Sequence, residues 1–423
     1  MKKLVYVWLL AILLSSNAGF AAERGKPLSL SAAIEKALAG SPRLKASNEA
    51  RLASQGERTQ AGMLPNPALS VEAENFAGRG AYRGVDSAET TVGVSQLIEL
   101  GGKRAARQAM ADGGVALSTQ ELEGARLDTI RDVTIAYADA VATAEQLKLA
   151  QAQKKLAAEV LESVTKRVNA AAEPLIQKSK AQVAYSIAEI ALDKAERNHE
   201  LARQKLAMQW GDNKTDFILD HTAFEIVAVP EPLETLTKNL ENNPDYRRWN
   251  SEIERRKAAL DFEKAVAVPD PSLNVGLRDF RDTGDQAFVM GISLPLPVLN
   301  RNQGSIQRAG HEVSKVESER ETARLNLRNE LNQTWQTLEN AYRQTKSLKE
   351  KVIPSAEKAF SLSRQGYNAG KFPYLEVLDA QRTLFEARVQ YYQALQTCHI
   401  QRAELHRLTA KHTASYKEVR YEK

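Results

Sequence analysis

The chain has 423 residues, six histidines and a single cysteine, Cys398, so an intramolecular disulfide is excluded and a cysteine-rich zinc site is not expected. The formal charge is +5, two units of it from Lys2 and Lys3, and acidic and basic residues are interleaved. That is the pattern of solvated helix surfaces, not a nucleic-acid footprint. Mean hydropathy is −0.43.

Lys2 and Lys3 precede an apolar run over residues 4–14, and Gly19-Phe20-Ala21 offers small residues for cleavage. This predicts a secretory signal peptide over 1–21, cut near Ala21/Ala22, and an exported mature chain. The run is too short for a transmembrane helix. No cysteine follows the cut, so no lipid anchor is predicted. No later stretch is apolar enough to span a bilayer as a helix, and any crossing must use a closed β-barrel.

The remainder reads as two copies of one layout, residues 22–211 and 212–423. SAAIEKALAGSPRLK (31–45) is echoed by ETLTKNLENNPDYRR (234–248), LPNPALSV (64–71) by VPDPSLNV (268–275), and ELGGKR (99–104) by VLNRNQ (298–303). The offset stays about 200, and two large units are a tandem duplication, not a solenoid. In each copy a lead-in helix is broken at Ser41-Pro42 or Asn243-Pro244 and stops at Pro65/Pro67 or Pro269/Pro271. The period then becomes two. Leu69, Val71 and Ala73 alternate with Ser70, Glu72 and Glu74, Leu273, Val275 and Leu277 with Asn274, Gly276 and Arg278, and Phe288, Met290, Ile292 and Leu294 with Val289, Gly291 and Ser293. Loops over 78–86 and 281–285 make hairpins. Four strands of about ten residues fit an outer-membrane barrel, with Leu273, Val275 and Leu277 toward lipid and Asn274 and Arg278 toward the lumen.

Long helical runs follow. Residues 103–168 contain no proline and would extend roughly 100 Å, although Gly113, Gly114 and Gly124 weaken the start. Ile130, Val133, Tyr137, Ala140, Ala144 and Leu147 form a coiled-coil-like seam, matched by Leu331, Trp335, Leu338 and Tyr342. Pro354 predicts a kink. The returning helices run from Leu175 to about Trp210 and from Tyr374 to about Leu408, with Leu378, Phe385 and Tyr392 as packing residues.

Each run turns back at a similar motif: VNAAAEPLIQKSKAQ (168–182) and YNAGKFPYLEVLDAQ (367–381). Asn169 matches Asn368 and Pro174 matches Pro373. Asn368 and Gly370 suit the left-handed end of a helix, and Pro373 suits the first turn of the next. Glu376 and Asp379 are three apart and share one helical face. The class is mainly α with a small β part: coiled-coil hairpins plus four transmembrane strands per chain. Four strands cannot close a barrel, whose smallest form has eight, so the chain must combine with copies of itself. Two copies leave no lumen; three and four remain open on physics alone.

The duplicated layout, the paired Pro-x-Pro strand entries and the tip motif 367–381 resemble the TolC family of outer-membrane channel proteins over nearly all of the mature chain. SQLIELGGKR (95–104) and SLPLPVLNRNQG (293–304) are most similar to its CzcC-like heavy-metal efflux branch. The resemblance implies a homotrimer with a twelve-stranded barrel in the outer membrane of a Gram-negative bacterium, in contact with outer-membrane lipid. A periplasmic helical tunnel would close at its tip. It implies two partners: a periplasmic adaptor (membrane fusion) protein and an inner-membrane RND-type pump. Asn169, Pro174, Asn368, Gly370 and Pro373 would contact the adaptor. Glu376 and Asp379 would line the constriction, and Tyr367 would hold the closed tip against a neighbouring helix. Some relatives carry an acylated N-terminal cysteine, and this chain departs from them there.

Competing chemistry finds little support. The histidines are scattered without HExxH spacing, and His399 and His406, seven apart, read as surface residues on one face. Gly101-Gly102 lacks phosphate-loop spacing and no serine sits in a nucleophile elbow. No catalytic residue, metal site, cofactor or nucleic-acid partner is expected. The function expected is a passive exit duct of a tripartite efflux system, with metal cations as cargo. The alternatives are an exit for drugs or secreted protein and, in another class, a structural coiled coil that transports nothing.

Overall fold

The computed structural model describes residues 27–411. The expected signal peptide lies outside the described residues. The chain gathers into two compact units that interleave along the sequence. One comprises the described residues through Ala37, Val133–Ala228 and Gln344–His399; the other comprises Leu38–Asp132, Val229–Arg343 and the residues from Ile400 on.

The second unit holds the sheet. Its lead-in helices are α2 (Pro42–Ala61), after α1 (Leu30–Gly40), and α6 (Pro244–Val266), after a short α5 (Leu233–Lys238). Both α2 and α6 begin at a proline, where a missing N–H costs nothing. The Asn243 side chain caps α6 by accepting from the Asp245 N–H at 2.8 Å. Strands β1 (Ala68–Glu74), β2 (Glu89–Leu97), β3 (Ser272–Phe280) and β4 (Asp285–Ser293) form one antiparallel sheet in chain order. The register puts Leu69, Val94, Val275 and Met290 in one cross-strand row and Val71, Val92, Leu277 and Phe288 in the next. Leu273 and Ile292 continue the same face. The opposite face carries Ser70, Gly93, Gly276, Ser95, Asn274 and Arg278, and Arg278 pairs with Glu89 and Glu74 at 2.9 Å each. The apolar face is exposed, Phe288 at 89 % and Met290 and Ile292 at 73 %. One edge of the sheet is β1 and the other β4.

The segments leaving and entering the sheet lock together. Lys103, nearly buried, reaches Asp270 at 2.6 Å, and Asp270 also accepts the Leu100 N–H at 2.8 Å. Arg107 pairs with Glu99. Gly101 turns at φ +69°, and a Cβ there would meet the Val268 side chain at 2.8 Å. The motifs ELGGKR and VPDPSL are therefore two halves of one joint. Deeper in this unit Arg407 is 8 % exposed and bridges Asp128 at 2.6 Å and Asp245 at 2.7 Å, while Arg43 reaches Asp128 at 2.5 Å. Burial raises the Asp128 carboxyl, but the Arg407 hydrogen bond and the charges of Arg407, Arg131 and Arg43 outweigh it and leave the pKa below the ordinary range.

Helix α3 (Lys103–Asn169) runs unbroken through Gly113, Gly114 and Gly124. Its seam residues Ile130, Val133, Tyr137, Ala140 and Ala144 are buried. Tyr137 does more than pack: its hydroxyl lies 2.8 Å from the Leu28 and Asp220 carbonyls. In the other run, α7 (Gln303–Ser347) passes into a π turn over Leu348–Val352 and then α8 (Ile353–Asn368). Pro354 is thus accommodated by a π turn, in which the Ile353 N–H bonds back to the Leu348 carbonyl. The seam is visible as Leu331, Leu338, Ala341, Leu348, Ala356 and Ser363, and the step of eight across the π turn replaces the usual seven. The returning helices are α4 (Leu175–Met208) and α9 (Tyr374–Leu408). His399 and His406 are half-buried, not surface residues. His399 stacks on Phe224 with centroids 5.0 Å apart, and its Nε2 lies 2.8 Å from the Phe224 carbonyl. The irregular segment after α4 supplies Phe224, and nothing in its composition announces that cover. Among the described residues no helix is long and apolar enough to cross a membrane, and no three His, Cys, Asp or Glu gather as a metal-binding group.

Candidate functional site at the helical tips

Two turns, between α3 and α4 and between α8 and α9, lie within the first unit. Both close the same way. Ala172 N–H bonds to Arg167 O at 2.9 Å, and Lys371 N–H bonds to Gly366 O at 2.8 Å. These are the six-to-one bonds of a Schellman-type helix end. The left-handed residue is Ala171 (φ +53°) in the first turn and Gly370 (φ +70°) in the second. Asn169 and Asn368 stay helical as the last residues of α3 and α8. Of the two residues expected to take the left-handed conformation, Gly370 does and Asn368 does not, because it still lies within the last helical turn. Pro174 is the N-cap of α4, and α9 likewise begins just after Pro373, one residue later than a first-turn proline. Asn169, Pro174, Asn368, Gly370 and Pro373 are all exposed.

Beneath the turns Val164, Ala181, Tyr367, Tyr374 and Val377 form a small core. Tyr367 is 5 % exposed. Its ring lies 4.6 Å from the Arg167 guanidinium and 6.0 Å from the Tyr374 ring. Arg167 also donates to the Tyr367 carbonyl at 3.3 Å, and its Nε lies 3.7 Å from Glu173. The Tyr367 hydroxyl is buried without a hydrogen-bond partner. Burial lifts its pKa above the ordinary phenol range, with the Arg167 charge opposing and Glu173 adding. Tyr374 is pushed up to about 12, chiefly by burial. Arg167 and Glu173 were absent from the sequence expectation. Their only signal was a cation in the last turn of α3, which a helix C-terminus favours anyway.

Glu376 and Asp379 are exposed on one face of α9 and share a groove of about 480 Å³ with Ala356, Ala359, Leu362 and Phe372. Among the described residues neither acid forms an ion pair. Phe372 packs on Gly366, where a Cβ would overlap its ring. A second, apolar groove of about 1070 Å³ lies between α4 and α9 and is lined by Ile176, Val183, Ile187, Leu375 and Phe385. The site offers unpaired carboxylates at a helical spacing and apolar surface beside them.

The family described as outer membrane efflux protein matches residues 33–212 and 235–411. The chain is 32 % identical over 372 residues to the cobalt-zinc-cadmium resistance protein CzcC of Cupriavidus metallidurans, covering 88 % of this chain and 87 % of that one. In structure it is similar to CusC, with a TM-score of 0.78 at 16 % identity over 94 % and 95 % of the two chains. It is also similar to the outer membrane protein VceC of Vibrio cholerae, with a TM-score of 0.75 at 19 % identity over 90 % and 95 %.

Proposed function

The chain belongs to the outer membrane efflux protein family, and from that premise we propose what it carries, what it docks to and which residues gate it. It is an outer-membrane exit duct of a tripartite efflux system, a passive conduit and not an enzyme. The observation that carries the duct is the sheet: a four-stranded antiparallel sheet with one exposed apolar face and two open edges. Three copies supply twelve strands and close the barrel.

The cargo is metal cations; the likeness to a cobalt-zinc-cadmium resistance protein supports this. A periplasmic adaptor docks on the exposed tips at Asn169, Pro174, Asn368, Gly370 and Pro373, and an inner-membrane RND-type pump supplies the energy. The two matched segments, 33–212 and 235–411, support a duplication with halves 22–211 and 212–423. Glu376 and Asp379 line the constriction, and threefold symmetry makes them a ring of six carboxylates that attracts cations. Tyr367, clamped under Arg167, holds the tip closed.

Single-channel current of the reconstituted full chain tests the gate. A trivalent cation added from the tip side should block the parent, and the Glu376→Ala/Asp379→Ala channel should not be blocked. Equal block of both sinks the assignment of these residues. Cargo is tested separately: loss of the protein should sensitise cells to cobalt, zinc or cadmium, and unchanged tolerance overturns the metal reading.

A further inference from the structure

The β4–α7 linker, residues 294–299, carries an apolar stripe that the sheet cannot explain. Phe288, Met290 and Ile292 alternate on the apolar face of β4, and the ladder with β3 ends at Ser293 opposite Ser272. The alternation does not end there. Leu294, Leu296 and Val298 continue it, exposed at 48 %, 74 % and 69 %, and Leu299 follows at 89 %.

The first repeat fills the equivalent positions differently. At the offset that pairs 99–104 with 298–303, Leu97 corresponds to Leu296, Glu99 to Val298 and Leu100 to Leu299. Glu99 is ion-paired to Arg107. The second repeat has an exposed valine where the first has this ion-paired glutamate, and its Leu296 and Leu299 are exposed at 74 % and 89 % against 38 % and 41 % for Leu97 and Leu100. Pro295 and Pro297 remove two further backbone donors, and the Val298 N–H bonds to the Leu296 carbonyl at 2.9 Å. Fewer free N–H groups lower the cost of leaving water, and the open carbonyls keep the segment at the membrane boundary, where water still reaches them. Polar residues resume at once: Asn300 accepts from the Asn302 N–H at 2.9 Å and Gln303 from the Arg301 N–H at 2.8 Å, with Arg301 exposed.

We propose that residues 294–299 lie against membrane lipid, extending the apolar belt of the barrel to the membrane boundary and anchoring the chain there. This rests on the outer-membrane channel reading. Magnitudes favour it. From Phe288 to Ile292 the strand rises about 13 Å, or about 10 Å along the membrane normal at a tilt near 40°, whereas the apolar band of such barrels is about 25 Å tall. Extended as far as Leu296, before the turn that bonds Val298 to Leu296, the stripe gains about 13 Å of chain and the projection reaches about 20 Å, nearer the full height. A second copy is the other conceivable cover. Pairing with the β4 edge would add it in the plane of the sheet, leaving this face open. Arg301 then sits where a cationic side chain reaches lipid phosphates.

The test uses the full chain in phospholipid vesicles, with a bimane label on Met290→Cys, Leu296→Cys or Leu299→Cys; the native Cys398 is fully buried. Brominated lipid should quench positions 296 and 299 to within about twofold of position 290, the contact quenching expected in a lipid-facing belt. Quenching at 290 with only aqueous iodide quenching at 296 and 299 overturns the linker proposal alone. Protection at 296 and 299 from both quenchers means a second copy covers them, which also overturns it. Absence of lipid quenching at 290 overturns the channel reading itself. The unmodified protein gives an independent readout: a diazirine lipid should leave adducts on residues 294–299 as well as on β4, and adducts on β4 alone refute the anchor.

Discussion

Putting arginine at position 275 should unseat the protein from the membrane, whereas arginine at the adjacent position 274 should not. Val275 lies in the row Leu69, Val94, Val275 and Met290, the middle of the apolar rows. An arginine there must take its charge into hydrocarbon, at a cost of about 2–4 kcal/mol near the bilayer midplane. Asn274 faces the other way, between Ser95 on β2 and Gly291 on β4. Gly291 has no side chain, and a Cβ built on it meets only the Asn274 amide, at 4.0 Å. The Asn274→Arg guanidinium therefore has room on a polar face, and the change should stay within about 0.5 kcal/mol. The two variants should thus differ by roughly 30- to 700-fold in the folded-to-unfolded ratio, at 1.4 kcal/mol per factor of ten. Reversible guanidinium unfolding of each variant in vesicles reads this as a shift in midpoint. If Asn274→Arg is the more damaging of the pair, the sheet is inside out relative to the reasoning and the lipid face is the polar one.

At the tips, Ala171 holds a left-handed conformation that costs an L-residue about 1–2 kcal/mol, partly offset by the extra freedom of glycine in the unfolded chain. Ala171→Gly should therefore raise hydrogen-exchange protection of the α3 end modestly, and Gly370→Ala should lower that of α8 by about 1 kcal/mol; unchanged protection in Gly370→Ala refutes the turn assignment. Arg407→Ala should cost about 2 kcal/mol, because it removes charged hydrogen bonds from half-buried Asp128 and from Asp245 and leaves Asp128 with only Arg43 and Arg131 near it. The folded Asp128 pKa is depressed, so its contribution is complete above the unfolded value of about 3.9 and is lost as pH falls through the folded value. Acid titration of the unfolding midpoint should show this loss in the parent and not in Asp128→Asn; identical acid limbs argue against it.

Much of this architecture can be read from residues alone, because it is built from long periodic segments. The period-two runs at 69–73, 273–277 and 288–294 and the uninterrupted α3 announce themselves, and register follows once one face is apolar. The tip acids are legible for the same reason: a spacing of three fixes a shared face. What stays hidden is whatever depends on distant partners. Arg407 and Asp128 are 279 positions apart, and nothing around either names the other. Arg167 over Tyr367 is hidden likewise, being 200 positions away. Pro354 was legible as a disturbance but not in its form, since a kink and a π turn both relieve the missing N–H and the lost clearance. The choice is made by the seam, which needs Leu348 and Ala356 on one side of the helix.

The open edges β1 and β4 have a genetic consequence. Each chain completes the barrel only by lending one edge to each neighbour, so a chain can be sound in its own core and still spoil the ring it enters. A substitution that lets the helices assemble but breaks pairing at β1 or β4 should be dominant. With defective and normal chains in equal supply, only about one ring in eight is wholly normal when three chains are drawn at random. A null allele merely halves the supply of rings. The sheet edges are therefore the places where a single altered allele does more harm than a missing one.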